Sequence, residues 1–557
     1  MADVATQSSA GGKPASLRTV VAASSAGTAF EWYDFFVFGS LTQVISRTFF
    51  SGLPEAAGYI AALALFGAGF LFRPLGALVF GRIGDRTGRK GAFLVTVVLM
   101  GGATFAIGLL PTYAQAGLLA PALLVLMRVI QGFALGGEYG GAAIYVAEHA
   151  PAHGRGAATG WVQTSAALGL FGALLVILVT RLAVGALFGP DAFDAWGWRI
   201  PFLVSAGLLA ISIWMRLKLS ESPAFAKMKA EGSASRAPYA EAFGQWRNLK
   251  LVLLALVAIM FAQGAVWYTA FFYVQTFIER FLKVAPETIN LLMLSATAVS
   301  AIGYVVFGVL SDRIGRKPVM LVGMSLMLVA YFPGFHLLSR TLNPALVEAH
   351  ARTPVVVIAD PADCSLQFDP VGKAAFVTSC DIAKSALANA GVSYENQTGA
   401  AGAPAKVRIG AAEIVSSGAV GLSRDAAKSA KAEVETQIKT ALAEAGYPTH
   451  ADPARMNLPG ALGVLLVFVI AATALYGPIA ACLVELFPTR IRYTAMSLPY
   501  HIGTGWVGGF TPFTAFAIVT ATGDIYAGLW YPVAFTAISV VTCLLFLPET
   551  RGRPLDA

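Results

Sequence analysis

Gly81-Arg-Ile-Gly-Asp-Arg-Thr-Gly-Arg-Lys90 decides the fold, because the chain carries it twice. The echo is Gly308-Val-Leu-Ser-Asp-Arg-Ile-Gly-Arg-Lys317, displaced by 227 residues. Upstream, Gly76, Val79 and Phe80 match Gly303, Val306 and Phe307. A second echo sets Glu148-x-x-Pro151-x-x-x-Arg155 against Glu485-x-x-Pro488-x-x-x-Arg492, displaced by 337 residues. Each copy follows a long apolar run, so the repeating unit is several membrane helices with their connecting loops. The displacement grows by 110 residues between the two echoes, so about that many extra residues entered the second half.

Composition agrees with a chain solvated mostly by lipid. Of its 557 residues 57% are hydrophobic and only 13% charged, and the mean hydropathy is +0.68. A soluble domain carries about 25% charged residues. The net charge of +8 does not indicate nucleic acid, because most Lys and Arg fall in short loops between apolar runs. Met1 to Ser16 is small and polar with no apolar core, so the first apolar run reads as a span and not a removable leader. Cys482 and Cys543 lie in apolar runs and read as small buried hydrophobes. Cys364 and Cys380 lie in a polar segment and are a disulfide candidate if it faces an oxidising compartment. No Cys or His spacing suggests a metal site.

At about 20 apolar residues per crossing, twelve spans are predicted: 18–49, 56–80, 91–112, 118–147, 157–186, 198–217, 249–280, 287–310, 318–339, 458–485, 493–521 and 526–547. Arg82, Arg86, Arg89 and Lys90 follow span two, Arg155 follows span four, and Arg216 to Lys250 lie between spans six and seven. Arg313, Arg316 and Lys317 follow span eight, Arg490 and Arg492 span ten, and Arg551 and Arg553 the last span. All are even-numbered exits, which predicts that both termini are cytoplasmic. The expected architecture is an all-α membrane protein of twelve transmembrane helices in two pseudo-symmetric six-helix halves. Its divisions are 1–217, a cytoplasmic linker 218–248, helices 7–9 over 249–339, an insert 340–457, and helices 10–12 with a short tail over 458–557. The insert should be extracytoplasmic and a small α/β module. Pro354-Val-Val-Val-Ile-Ala359 reads as a buried strand, Ser379 as the cap of a helix Asp381–Ala390 stopped by Gly391, and Arg424–Ala445 as a helix closed by Gly446-Tyr-Pro448.

The repeated loop stretch resembles the loop signature of the major facilitator superfamily, and Arg128-x-x-Gln131-Gly132 its fourth-span motif. Phe30-Glu-Trp-Tyr-Asp-Phe35, Arg73-Pro-Leu-Gly76 and Gln131-Gly-Phe-Ala-Leu-Gly-Gly-Glu-Tyr-Gly140 resemble the metabolite:proton symporter family within it. Leu547-Pro-Glu-Thr550 is similar to the superfamily's closing motif. The long loop between spans nine and ten resembles that of the haloacid permeases of this family. The resemblance implies proton-coupled uptake of a small solute: a dicarboxylate, citrate, shikimate, or proline and betaine.

A charge at mid-bilayer costs at least about 2.5–3.5 kcal/mol, so ionisable residues within spans are candidates for function. Glu31 and Asp34 lie three residues apart on span one, and Arg128 with Gln131 and Tyr139 on span four. An Asp34–Arg128 pair is expected, in which protonation of Asp34 frees the guanidinium for a substrate carboxylate; the bland alternative is a tie between two helices. Glu31 is a second proton-coupling candidate or a polar span end. Glu138, among glycines, is a third or a packing polar residue. Arg73 reads as a substrate-facing cation or a helix-end anchor. In the second half Gln263, Trp267, Tyr268, Tyr273, Tyr476, Tyr500, His501 and Trp506 are the polar-aromatic candidates for solute contact, each weighed against plain bundle packing. Asp85, Arg89, Asp312, Arg316, Glu148, Arg155, Glu485 and Arg492 sit where helices meet the cytoplasm and should form ion pairs that hold one access state closed.

The reading is therefore a proton-coupled symporter of the cell inner membrane, importing a small organic acid anion by alternating access. Short-chain monocarboxylates and haloacids are among the candidate solutes. No nucleophile–base set or cofactor motif supports an enzyme. No cofactor is expected beyond protons as coupling ion, and the partners are the solute, the proton and the bilayer, with a partner of the insert left open. The alternatives are a proline/betaine-type osmolyte permease and a transporter-like solute receptor.

Overall fold

The computed structural model describes residues 16–51, 65, 69–217, 221–233, 235–365 and 376–555. Much of the expected span 56–80 thus lies outside the described residues. Among these residues ten helices are long and apolar enough to cross a membrane: α3 Arg89–Leu109, α4 Leu119–His149, α5 Arg155–Phe188, α6 Arg199–Leu217, α7 Trp246–Arg280, α8 Pro286–Ile314, α9 Arg316–Leu342, α10 Leu458–Leu486, α11 Thr489–Thr522 and α12 Ala527–Phe546. Two more complete the twelve: α1 Leu17–Ser40, which carries the polar run with Glu31 and Asp34, and α2 Arg73–Thr87. Past Leu41, α1 resumes as Thr42–Phe49.

Two large cores form, one mostly in each half, and the second takes in Tyr139, Ala143 and Ile144 of α4 across the seam. Phe36, Phe38, Met100, Trp198 and Phe202 centre the first; Phe277, Met324, Phe335, Phe468 and Leu483 centre the second. The faces turned outward stay apolar, with Leu175, Leu178 and Leu182 of α5 and Val322 and Val329 of α9 exposed. That inversion suits a surface that meets lipid, where backbone groups must be satisfied inside the helix. α7 and α11 widen into π-turns at Leu256–Met260, Thr269–Tyr273 and Ile502–Gly508. They approach closely there: a Cβ on Gly264 would stand 2.2 Å from the Gly503 carbonyl oxygen.

The insert is a four-stranded sheet of β1 Val355–Ala359, β2 Tyr394–Thr398, β3 Lys406–Ile409 and β4 Ala412–Val415, in the order β2-β1-β3-β4. The β1–β2 pair is parallel and the other two are antiparallel. Helices Ser379–Ala390 and Arg424–Glu444 pack on it, and Cys364 and Cys380 are joined by a disulfide. The first helix starts two residues earlier than expected, at Ser379, and its cap is one residue earlier, because Thr378 and not Ser379 accepts the Asp381 N–H. It does stop at Gly391, whose φ of +72° glycine adopts without strain. Only β1 was expected. The three other strands are short, with exposed polar faces, so their alternation is weak. The module is moored to the second half. Tyr394 N–H donates to the Gly523 carbonyl at 2.7 Å, Asn396 Nδ2 to Thr522 at 2.6 Å and Lys384 Nζ to Ala521 at 3.1 Å.

Candidate functional site

Among the described residues the most extensive helix contacts between the halves are α2 on α11 and α5 on α8. The repeated stretch supplies both, position by position. Its first glycine lets two backbones meet: a Cβ on Gly81 would stand 2.9 Å from Thr494 Cα, and one on Gly308 2.4 Å from the Gly156 carbonyl oxygen. Its aspartate caps the facing helix of the other half. Asp85 accepts the N–H of Tyr493 at 3.1 Å and of Thr494 at 2.8 Å. Asp312 accepts those of Gly156 at 2.9 Å and Ala157 at 2.8 Å. A carboxylate there satisfies orphan donors and the positive end of the helix dipole.

Gly88 and Gly315, at φ of +126° and +112°, turn the chain into α3 and α9. Arg89 then pairs with Glu148, and Arg316 with Glu485 at 3.2 Å. Each glutamate also holds a guanidinium from the opposite half, Arg492 on Glu148 at 2.6 Å and Arg155 on Glu485 at 3.3 Å. The eight residues singled out as a gate thus make two buried networks of matching layout.

Sequence reading missed four members. Glu221 Oε2 accepts the Lys90 N–H at 3.4 Å, and Glu549 Oε2 accepts that of Lys317 at 3.1 Å. Ser222 donates to Glu148 at 2.6 Å, and Thr550 to Glu485 at 3.1 Å. The signal was a third echo, Leu219-Ser-Glu-Ser222 against Leu547-Pro-Glu-Thr550, displaced by 328 residues.

The expected Asp34–Arg128 pair is not formed. Arg128 donates to Gln131 Oε1 at 2.8 Å, and Gln131 in turn to Thr104 at 2.7 Å. Its guanidinium lies on the Phe38 ring at 4.1 Å. An acceptor one turn along the same helix holds it inside the first half. Asp34 is buried, and its Oδ1 has no hydrogen-bond partner among the described residues. One turn away, Glu31 pairs with Arg216 at 2.6 Å. Arg216 reads from sequence as the first loop charge after span six, yet it is 1% exposed, because α6 runs on to Leu217 and lays its guanidinium on Phe93 at 3.8 Å.

A second cluster straddles the seam between the halves. Arg73 lies over Phe70 at 4.3 Å and Phe35 at 5.0 Å; Phe35 also carries Arg128 at 5.3 Å. Nε and Nη2 of Arg73 are buried without hydrogen-bond partners among the described residues. The hydroxyls of Tyr268, Tyr476 and Tyr500 stand within its electrostatic reach, and so does His501. Tyr139 stacks on Tyr500 with centroids 3.7 Å apart, and Tyr476 bonds to the Tyr500 hydroxyl at 2.6 Å. Gln163 donates to Tyr139 at 2.7 Å, and Trp267 to Tyr304 at 2.9 Å. Tyr304 and Gln163 were not singled out in the sequence; an aromatic or amide residue in an apolar run carries no mark that separates site from packing. Tyr273 falls elsewhere, against Phe335 at 5.7 Å inside the second half. Glu138 is buried in α4. The cluster's tyrosine rings are buried and Trp267 is partly so, which leaves little of the site open in this conformation. Among the described residues no three His, Cys, Asp or Glu side chains gather as metal ligands.

A family model for sugar (and other) transporters matches residues 19–242 and 443–557, and one for MFS/sugar transport proteins matches 141–359. The proline/betaine transporter of Salmonella typhimurium is 35% identical over 334 residues, 58% of this chain and 65% of that protein. The chain therefore spans slightly less than two thirds of that relative's length. The shikimate transporter of Escherichia coli is 35% identical over 322 residues, 57% of this chain and 72% of that one. The proton:xylose symporter XylE bound to 6-bromo-6-deoxy-D-glucose superposes with a TM-score of 0.62 over 97% of this chain and 98% of its own, at 16% identity, a likeness of fold. With the family model matched over most of its length and two six-helix halves joined at α2–α11 and α5–α8, the chain belongs to the sugar (and other) transporter family of the major facilitator superfamily.

Proposed function

We propose that the chain is a proton-coupled symporter importing a small solute that bears a carboxylate, across the cell inner membrane. The observation that carries this reading is Arg73: a buried guanidinium at the seam between the halves, with two N–H groups unpartnered among the described residues. Buried donors left unmade are costly, and a carboxylate is the planar acceptor that answers two of them at once. The basic end is the cytoplasmic one in this reading, and the insert faces outward.

The proton is carried by Glu31 and Asp34. One guanidinium, Arg216, balances one carboxylate; the second buried carboxyl is neutral only when it holds a proton. Solute on Arg73 and a proton on α1 together favour the shut state, and the two Glu–Arg networks alternate with an opening at the opposite end. No cofactor enters beyond the proton.

The aromatic box favours a zwitterion over a plain organic anion. The faces of Tyr139, Tyr476, Tyr500 and Trp267 beside Arg73 suit an ammonium lying against rings while its carboxylate meets the guanidinium. The relative named a proline/betaine transporter supports that choice, and the one named a shikimate transporter supports the anion.

Uptake into proteoliposomes tests both. Radiolabelled betaine, proline, shikimate, acetate or chloroacetate should accumulate only with an inward proton gradient and disperse on adding a protonophore. Binding without accumulation of any of them would make the chain a receptor and remove the proposal.

A further inference from the structure

Tyr493, at the start of α11, belongs to the second half, but its ring sits inside the first. Three glycines make the slot. A Cβ on Gly84 would stand 2.1 Å from the ring, on Gly140 2.9 Å from it, and on Gly141 2.7 Å from its hydroxyl oxygen. The hydroxyl donates to the Gly137 carbonyl, and the backbone N–H donates to Asp85. The tyrosine is wholly buried.

The slot lies beside the Glu31–Arg216 pair. Phe93, on which Arg216 rests, also borders the Gly141 side of the slot. Glu31, Arg216, Asp85 and Arg89 all act electrostatically on the Tyr493 hydroxyl. The ring therefore has Glu31 of α1 within its electrostatic reach and, through its own backbone N–H, is bonded to Asp85, beside Arg89 of the network that meets the basic end. A phenol with its hydroxyl satisfied is an effective stopper here, because it leaves neither a void for water nor an unmade bond.

We propose that Tyr493 is the plug that separates the proton-carrying carboxyls from water at the basic end. Separation of the halves at that end must draw the ring out of its slot, since ring and slot belong to opposite halves. Proton exit is thereby tied to opening of the gate, and the shut protein holds its proton. This rests on the symport reading, with Glu31 as a carrier, and adds to it a residue that neither binds solute nor titrates.

The test is passive proton flux, without solute, in proteoliposomes of the full chain that enclose a pH-sensitive dye. Wild type should hold an imposed gradient. Tyr493→Ala should collapse it several-fold faster, and adding Glu31→Gln together with Asp34→Asn should restore the wild-type rate. Tyr493→Leu, which keeps an apolar side chain but opens part of the slot, serves if the alanine variant does not fold. A Tyr493 variant that holds the gradient overturns the proposal, and so does a leak that persists without both carboxyls. Failure of the symport reading would appear differently, as wild-type vesicles in which no solute of the uptake panel drives proton entry.

Discussion

Oε1 of Glu148 receives Arg492 of the opposite half at 2.6 Å, and the same oxygen receives Arg89 of its own half. Oε1 of Glu485 does the same with Arg155, at 3.3 Å, and Arg316, at 3.2 Å. One carboxylate shared between two guanidiniums is a strong tie only while the halves touch, because separation strips one partner from each glutamate.

Glu148→Gln should therefore weaken the shut state at the basic end. Removing one member of a buried ion pair costs about 3–5 kcal/mol, enough to shift a two-state equilibrium that a few kcal/mol hold. Nitroxide labels at Thr87 and Arg313, exposed residues of opposite halves, should report a longer distance in the variant. Glu485→Gln should act alike and the double variant more strongly. An unchanged distance distribution in all three would show that the networks do not set the conformation.

Arg216 and Glu31 should behave as a unit. Glu31→Gln alone leaves the guanidinium buried and unbalanced, and Arg216→Gln alone leaves the carboxylate so; each should lower the melting temperature of the detergent-purified protein. The double variant should recover most of the loss, because two neutral amides bury without net charge. Additive losses would mean that the 2.6 Å contact contributes nothing to stability.

The two guanidiniums of the first half should separate by function. Arg73→Lys replaces a planar fork by a point charge and should weaken binding of a carboxylate solute by about tenfold or more, the worth of one charge-assisted hydrogen bond. Arg128→Lys should change affinity much less and lower stability instead, since it breaks the Gln131 bond and the Phe38 contact. Titration calorimetry and thermal unfolding on the same preparations distinguish the two. The reverse ranking would return Arg128 to the binding role that its motif suggests.

The two Glu–Arg networks were legible in the sequence because they are written twice. Repetition marks Asp85 and Asp312 as a pair, and an ion-pair role follows from placing acids among positive-inside arginines. The aromatic cluster at the seam was legible only in part: Trp267, Tyr268, Tyr476, Tyr500 and His501 could be named as candidates, but Tyr304 and Gln163 could not, because the role of a residue in an apolar run depends on which helix face turns to the seam. π-turns in α7 and α11 reset that face locally, so a 3.6-residue count loses register. Arg216 was counted as a loop charge although the expected span 198–217 already contained it; what the sequence does not show is that its guanidinium turns inward to Glu31. The Asp34–Arg128 pairing failed because two charges on different helices were matched without weighing Gln131, one turn along from Arg128, whose Oε1 accepts from the guanidinium.

Lys283, in the turn between α7 and α8, gives the insert its own pH signature. Its Nζ donates to the Asn389 carbonyl at 2.5 Å, and its carbonyl accepts the Ala451 N–H at 3.0 Å, so it moors the module to the bundle. Burial, with Arg280 and Lys439 close by, lowers its pKa from 10.5 to about 8. Between those values the unfolded chain holds a proton that the folded one has released, so stability should rise with pH across that window. Below pH 8 both states are charged and the folded one bears the full cost. Lys283→Met loses the mooring bond but also the titration. The wild-type melting temperature should therefore gain on that of the variant as pH goes from about 8 to about 10, followed by thermal unfolding in detergent. Parallel curves would show that Lys283 is solvated well enough to titrate as a free lysine.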